Sequence, residues 1–183
     1  MRVAFTFVLV AVAVLAQVTV ANRLPFDWSA GPDLVAAAVV AVALTTTPAA
    51  AAGTGFAAGL AIDIMPPAEH PVGRYTLVLC LAAYLVSLLH RNTGAAGGRI
   101  STLTALGATA ITALAVGLGC AALGFVMGDP RVEVTTTAFT VGTSTLATAL
   151  IVPLVTLPIL RLREHLTDSE FTAVQGPTSV GGW

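Results

Sequence analysis

The apolar run from Val3 to Ala21, interrupted by little except Gln17, limits most sharply what this chain can become. Its length is close to the roughly 20 residues that a helix needs to cross about 30 Å of hydrocarbon. A cleaved signal peptide is the rival reading, since Thr19-Val20-Ala21 loosely resembles a small-residue cleavage site. Against cleavage, Arg2 is the sole basic residue ahead of the run, and the run is longer than an ordinary signal core. Similar runs recur along the chain, and the expected spans are about 3–21, 34–47, 49–65, 74–90, 103–127 and 139–160. With 56% hydrophobic residues and 9% charged, the chain lies far from soluble domains, where about a quarter of residues are charged. The expected fold is an all-α integral membrane protein with six transmembrane helices in one domain, 1–166, followed by a flexible cytoplasmic tail, 167–183, that is polar and without periodicity.

The boundaries between runs carry turn chemistry. Arg23, Pro25, Asp27, Trp28 and Pro32 mark the first loop, with the tryptophan suited to the headgroup level. Asp33 is placed to cap a helix that starts at Leu34, and Thr45-Thr46-Thr47-Pro48 ends that short run. Gly128-Asp129-Pro130-Arg131 forms a later turn, and Pro153 and Pro158 are expected to kink or loosen the last helix. Thr140, Ser144 and Thr148 recur every four residues, which puts three hydroxyls on one helical face. They either bond back to helix carbonyls or, opposite Thr109 and Thr112, line a polar ligand cavity.

Charge sets orientation and excludes some functions. Arg2, Arg91, Arg99, Arg161 and Arg163 fall on one side of the six spans, and Arg23, Arg74 and Arg131 on the other. Positive charge near span ends is retained in the cytoplasm, so both termini are expected there. A formal net charge of −1 without a basic run gives no footing for nucleic acid. Cys80 and Cys120 sit inside apolar runs without paired spacing and read as packing residues. There is no HExxH, Walker loop, Ser-His-Asp order or paired catalytic carboxylate, so no enzyme, cofactor or metal is expected. His70 beside Glu69 lacks the converging ligands of a zinc site.

The densest information lies from Gly53 to Tyr84, where two apolar runs meet at a cluster of charge, proline and glycine. Gly55 and Gly59 have the spacing that lets helix backbones approach closely in lipid. That contact either packs helices within one subunit or forms a homodimer. Asp63 ends the first run, Pro66 and Pro67 break it, Glu69-His70-Pro71 form a polar turn, and Gly73-Arg74 open the second run. A carboxylate at a span end is expensive in hydrocarbon unless paired. Arg74 is its nearest candidate by sequence, with simple solvation at the interface as the alternative.

The sequence G-F-x-x-G-L-x-x-D over residues 55–63, a proline-bearing loop, then V-G-R-Y-x-L over residues 72–77 and a downstream Tyr84 resembles the MreD family of rod shape-determining proteins, in its high-GC Gram-positive, actinobacterial form. That resemblance implies a non-enzymatic scaffold in the lateral cell-wall elongation complex of the cell membrane, beside an MreC-like bitopic protein and the peptidoglycan synthase complex. It also implies structural or partner-binding roles for Gly55, Gly59, Asp63, Pro66, Pro67, Gly73, Arg74 and Tyr84. The six-span layout is similar to the substrate-binding subunits of energy-coupling vitamin transporters, which keeps a small-molecule binding or transport subunit as the alternative function.

Overall fold

The computed structural model describes residues 2–23, 31–65, 72–93, 100–129 and 133–174, and no strand occurs among them. Six α-helices follow one another: α1 Arg2–Thr19, α2 Leu34–Ala43, α3 Pro48–Ile64, α4 Arg74–Asn92, α5 Thr102–Val126 and α6 Val134–Val174, with a 3₁₀ turn at Ala21–Arg23 after α1.

α2 is the hub. Its ten residues are alanine, valine and one leucine, and Val35 through Ala43 are all buried. A helix that is apolar on every side has no face to offer water, so it goes to the centre. α1, α3, α4, α5 and α6 all pack against it. Its termination is local chemistry. Pro48 cannot continue a helix, and the preceding hydroxyls turn back on the last carbonyls: Thr45 Oγ1 donates to the Ala41 and Val42 oxygens, and Thr46 Oγ1 to the Val42 oxygen. Thr47 then caps α3, accepting from the Ala50 amide, with Pro48 at the first helical position, where its missing N–H costs nothing.

The contacts of α2 fix its direction. Tyr75 at the start of α4 donates to Asp33, and Ser87 Oγ, three turns further along α4, donates to the Thr46 oxygen at 2.8 Å. The two helices therefore run parallel, matched over about 18 Å at 1.5 Å per residue.

α3 and α4 make the closest helix pair. A Cβ on Gly55 would stand 2.7 Å from the Leu79 carbonyl oxygen, and one on Gly59 would stand 2.6 Å from the Thr76 Cα. The Gly55-x3-Gly59 spacing is thus used inside the subunit, between α3 and α4. α5 uses Gly119 against Val78 of α4 and Gly117 against Val141 of α6 in the same way.

The outer surface is apolar. Phe7 and Val12 on α1, Leu77 and Leu81 on α4, Ile111 on α5, and Leu146 and Leu150 on α6 are all exposed. In water such a surface would aggregate; in a bilayer it is the solvent-matched face.

The described helices differ from the expected spans in several places. Among the described residues, three helices are long and apolar enough to cross a membrane, and four if the two parts of α6 count as one span. The expected second span, 34–47, is the shorter helix Leu34–Ala43, stopped by the threonine–proline break that the sequence marks, and the expected third span, 49–65, is Pro48–Ile64, of 17 residues. The expected tail at 167 is still helix as far as Val174, since no glycine or proline stands between Pro158 and Gly176. Within α6 the axis turns by 48° between Thr135–Ile151 and Pro153–Leu162, where Pro153 removes an amide donor from the ladder, as the sequence leads one to expect.

Leucine at Gly55 or Gly59 must push α3 and α4 apart, at a cost of about 1–3 kcal/mol or more. Leucine at Gly53, whose Cβ would meet nothing within 4 Å, is the matched control. Thermal unfolding in detergent should show a lower midpoint for Gly55→Leu and Gly59→Leu and an unchanged one for Gly53→Leu.

Candidate functional site

Polar side chains are scarce in this chain; of the buried ones, Asp63, Thr76 and Thr148 gather near the starts of α2 and α4 and the end of α3, where Asp33, Arg74 and Tyr75 also lie. Asp63 is the anchor. It lies in the last turn of α3, 1% exposed, one helical repeat beyond Gly55 and Gly59 on the same face. Its Oδ2 accepts from the Gly73 amide at 2.9 Å and the Thr76 amide at 2.9 Å, and also from the Thr76 hydroxyl; Oδ1 accepts from the Tyr75 amide at 3.3 Å. These are amides at the start of α4, which intrahelical bonding leaves unmet.

A carboxylate also suits the positive end of the helix dipole. Gly73, at the N-cap position, has no side chain to serve as cap and a φ of 101°, a conformation that a residue with a Cβ adopts only at a cost of roughly 1–2 kcal/mol. The cap therefore comes from α3. The spaced residues Gly55, Gly59, Asp63 and Gly73 form one device: two glycines bring the helices together, and the aspartate closes the end of the pair.

Arg74 does not pair with Asp63, which corrects the sequence expectation. Its Nε donates to the Cys120 carbonyl oxygen at 2.7 Å, and its Nη1 meets Asp129 Oδ2 at 3.1 Å. Helical direction is the reason. Asp63 holds the backbone of α4, and Arg74 then projects from the first turn toward α5. Asp129 is held ready by the end of α5, where the Gly128 amide donates to the Phe125 oxygen and the Asp129 amide to the Gly124 oxygen, with Gly128 at a φ of 68°. This is the Schellman arrangement, and it needs glycine at that position.

Asp33 caps α2 as expected, accepting from the Ala36 amide at 2.7 Å. The sequence did not disclose its other partners. Tyr75 donates its hydroxyl to Asp33 Oδ2, the Asp33 amide donates to Thr148 Oγ1 at 2.9 Å, and the Leu34 amide donates to Gln17 Oε1 at 2.8 Å. Ser144 Oγ reaches the Gly31 oxygen at 3.1 Å. Three helices, α1, α4 and α6, thus satisfy the entrance of a helix too short to reach water on its own.

Between these elements lies a cavity of about 450 Å³ lined by Asp33, Arg74, Tyr75, Asp129, Thr136, Thr137, Thr140 and Ser144, over apolar walls from α5 and Val141. The predicted hydroxyl face of α6 divides: Thr140 and Ser144 line the cavity, while Thr148 is spent on Asp33 and Ser144. Thr109 and Thr112, expected opposite, return their hydroxyls to the Ala105 and Ala108 oxygens of their own helix and do not line it. Tyr84 stands apart, 40% exposed on the outer face of α4. Pro66 and Pro67, with Glu69, His70 and Pro71, lie outside the described residues. Cys80 and Cys120 are free and half-buried, and among the described residues no cluster of His, Cys, Asp and Glu is suited to a metal.

Removing the Asp63 carboxylate leaves amides at the start of α4 unmet. Asp63→Ala should lower stability by about 1–3 kcal/mol, with Asp63→Asn, which keeps one acceptor, falling between it and the native protein in chemical or thermal unfolding. A double-mutant cycle on Arg74→Ala and Asp129→Ala should return a coupling of about 1 kcal/mol. Strict additivity would refute that ion pair.

In comparison with known families, the family model described as rod shape-determining protein MreD matches residues 1–164. Searches of curated proteins and of solved structures returned no match.

Proposed function

The chain belongs to the MreD family of rod shape-determining membrane proteins, and we propose that it acts as a non-enzymatic scaffold of the cell-wall elongation complex, holding an MreC-like bitopic protein and helping to organise the peptidoglycan synthase complex in lateral wall growth. The family match over nearly the whole helical region carries this reading. An apolar outer surface on α1, α4, α5 and α6 supports it, since a scaffold in lipid works through helix faces.

Tyr84 directs attention to one face. It sits midway along α4, beside exposed Leu77, Leu81 and Leu85, and its hydroxyl makes no hydrogen bond among the described residues. In hydrocarbon such a hydroxyl seeks a partner, so the outer face of α4 is our choice for the bitopic helix. Gly55 and Gly59 are not available for that role or for a homodimer contact, because α4 already covers them.

In this reading the six helices make six crossings of the cell membrane, with both termini cytoplasmic and the end holding Asp33, Asp63, Arg74 and Asp129 facing outward. The five-to-three distribution of arginine supports that orientation. The alternation of helix ends supports the crossings, with α2 and its threonine turn serving as a short span inside the bundle. An actinobacterial origin fits a chain whose basic residues are all arginine and whose commonest residue is alanine.

Photo-crosslinking tests the assignment. A crosslinker at Leu81 or Leu85 should capture a bitopic membrane protein that co-purifies with wall synthases, whereas one at Leu150 on α6 should not. Tyr84→Ala should reduce recovery of that partner without lowering the thermal midpoint. Equal capture from both faces would reject α4 as the docking face, and recovery of an ATPase module in place of wall synthases would reject the scaffold.

A further inference from the structure

The scaffold reading leaves the cavity beside Arg74 without a use. Its walls are chemically mixed in a way that close packing does not require. On one side Thr137 and Thr140 present hydroxyls that make no hydrogen bond among the described residues, with Ser144 one turn further along. On the other, Arg74 spends Nε on the Cys120 oxygen and Nη1 on Asp129, leaving the N–H groups of Nη2 without an acceptor among the described residues. The Asp33 carboxylate meets the Ala36 amide and the Tyr75 hydroxyl, with the Val35 amide also directed at it, and of its roughly four acceptor positions one is left for a further donor. Ala113, Val116, Gly117 and Val141 make the apolar part of the wall. A volume of about 450 Å³ falls in the range of ordinary small-molecule sites.

These groups select among ligands. A simple anion would meet Arg74 but also two carboxylates, Asp33 and Asp129. A simple cation would meet the carboxylates but leave the guanidinium donors unmet. An apolar molecule would bury unpaired hydroxyls, which is costly. A molecule carrying both charges satisfies every wall. We propose that this cavity binds a small zwitterion, an ammonium joined by a short carbon chain to a phosphate, with the ammonium on Asp33, the phosphate on Arg74 and the Thr140 hydroxyl, and the carbons over Val116 and Val141.

That chemistry comes from two sources, an aminophospholipid headgroup or a free amino-alkyl phosphate. The site is independent of the α4 outer face, so loss of one leaves the other testable.

The test uses the full chain in a non-ionic detergent, titrated by calorimetry and native mass spectrometry with short-chain phosphatidylethanolamine, phosphoethanolamine and short-chain phosphatidylglycerol. Phosphatidylethanolamine should bind about tenfold more tightly than phosphatidylglycerol, which lacks the ammonium. Thr140→Val removes a hydroxyl at constant volume, and Ala121→Leu fills the cavity from α5; each should weaken binding about tenfold or more while the thermal midpoint holds. Binding of the lipid alone supports the site with a lipid occupant, and binding of phosphoethanolamine supports it with a free one. Equal affinity for phosphatidylglycerol, binding that both variants leave intact, or no binding by either amine would overturn the proposal.

Discussion

The Asp63 carboxylate is the interaction on which the other polar contacts depend. By accepting from the Gly73, Tyr75 and Thr76 amides it fixes where α4 starts and how that helix is rotated. Rotation decides the rest: Tyr75 then meets Asp33, which caps α2, while Arg74 turns toward Cys120 and Asp129 at the end of α5. Three helix ends are thereby tied to one another through side chains that begin in a single turn of α4. In lipid the tie matters more than it would in water, because no solvent is present to take up amides that protein leaves unmet.

A second constraint comes from the shortness of α2. Ten residues extend for about 15 Å, roughly half the hydrocarbon thickness, so neither end reaches water unaided. The bundle responds by bringing polar groups to it. Gln17, Tyr75 and Thr148 meet its entrance, and Ser87 meets the turn that follows it. The hydroxyls inside these otherwise apolar helices thus have a structural purpose, and the cavity holds those, Thr137 and Thr140, that the structure leaves over.

Much of this was legible in the sequence. Apolar runs placed the helices, Asp33 announced its cap, Pro153 announced the bend in α6, and the motif from Gly55 to Tyr84 pointed to the family that the chain matches. What the sequence left open was decided by local acceptors and donors. Arg74 was the nearest candidate partner for Asp63 by sequence, with solvation as the alternative, yet backbone amides, which no sequence motif advertises, were nearer in space. Of the two readings open for the helix hydroxyls, Thr109 and Thr112 follow the local one, since a threonine within a helix has an acceptor one turn back and takes it.

The sequence by itself determined that this is an all-helical membrane protein, where its chain turns, and that Gly55, Gly59 and Asp63 share one helix face, because hydropathy, proline and the 3.6-residue repeat are local properties. Tertiary structure alone decided which helix that face meets, that α2 lies at the centre, that Arg74 belongs to Asp129, and that a polar cavity opens beneath them. The partners in each of those contacts are tens of residues apart along the chain, and the rotation of a whole helix, set by packing and by one buried carboxylate, chooses among them.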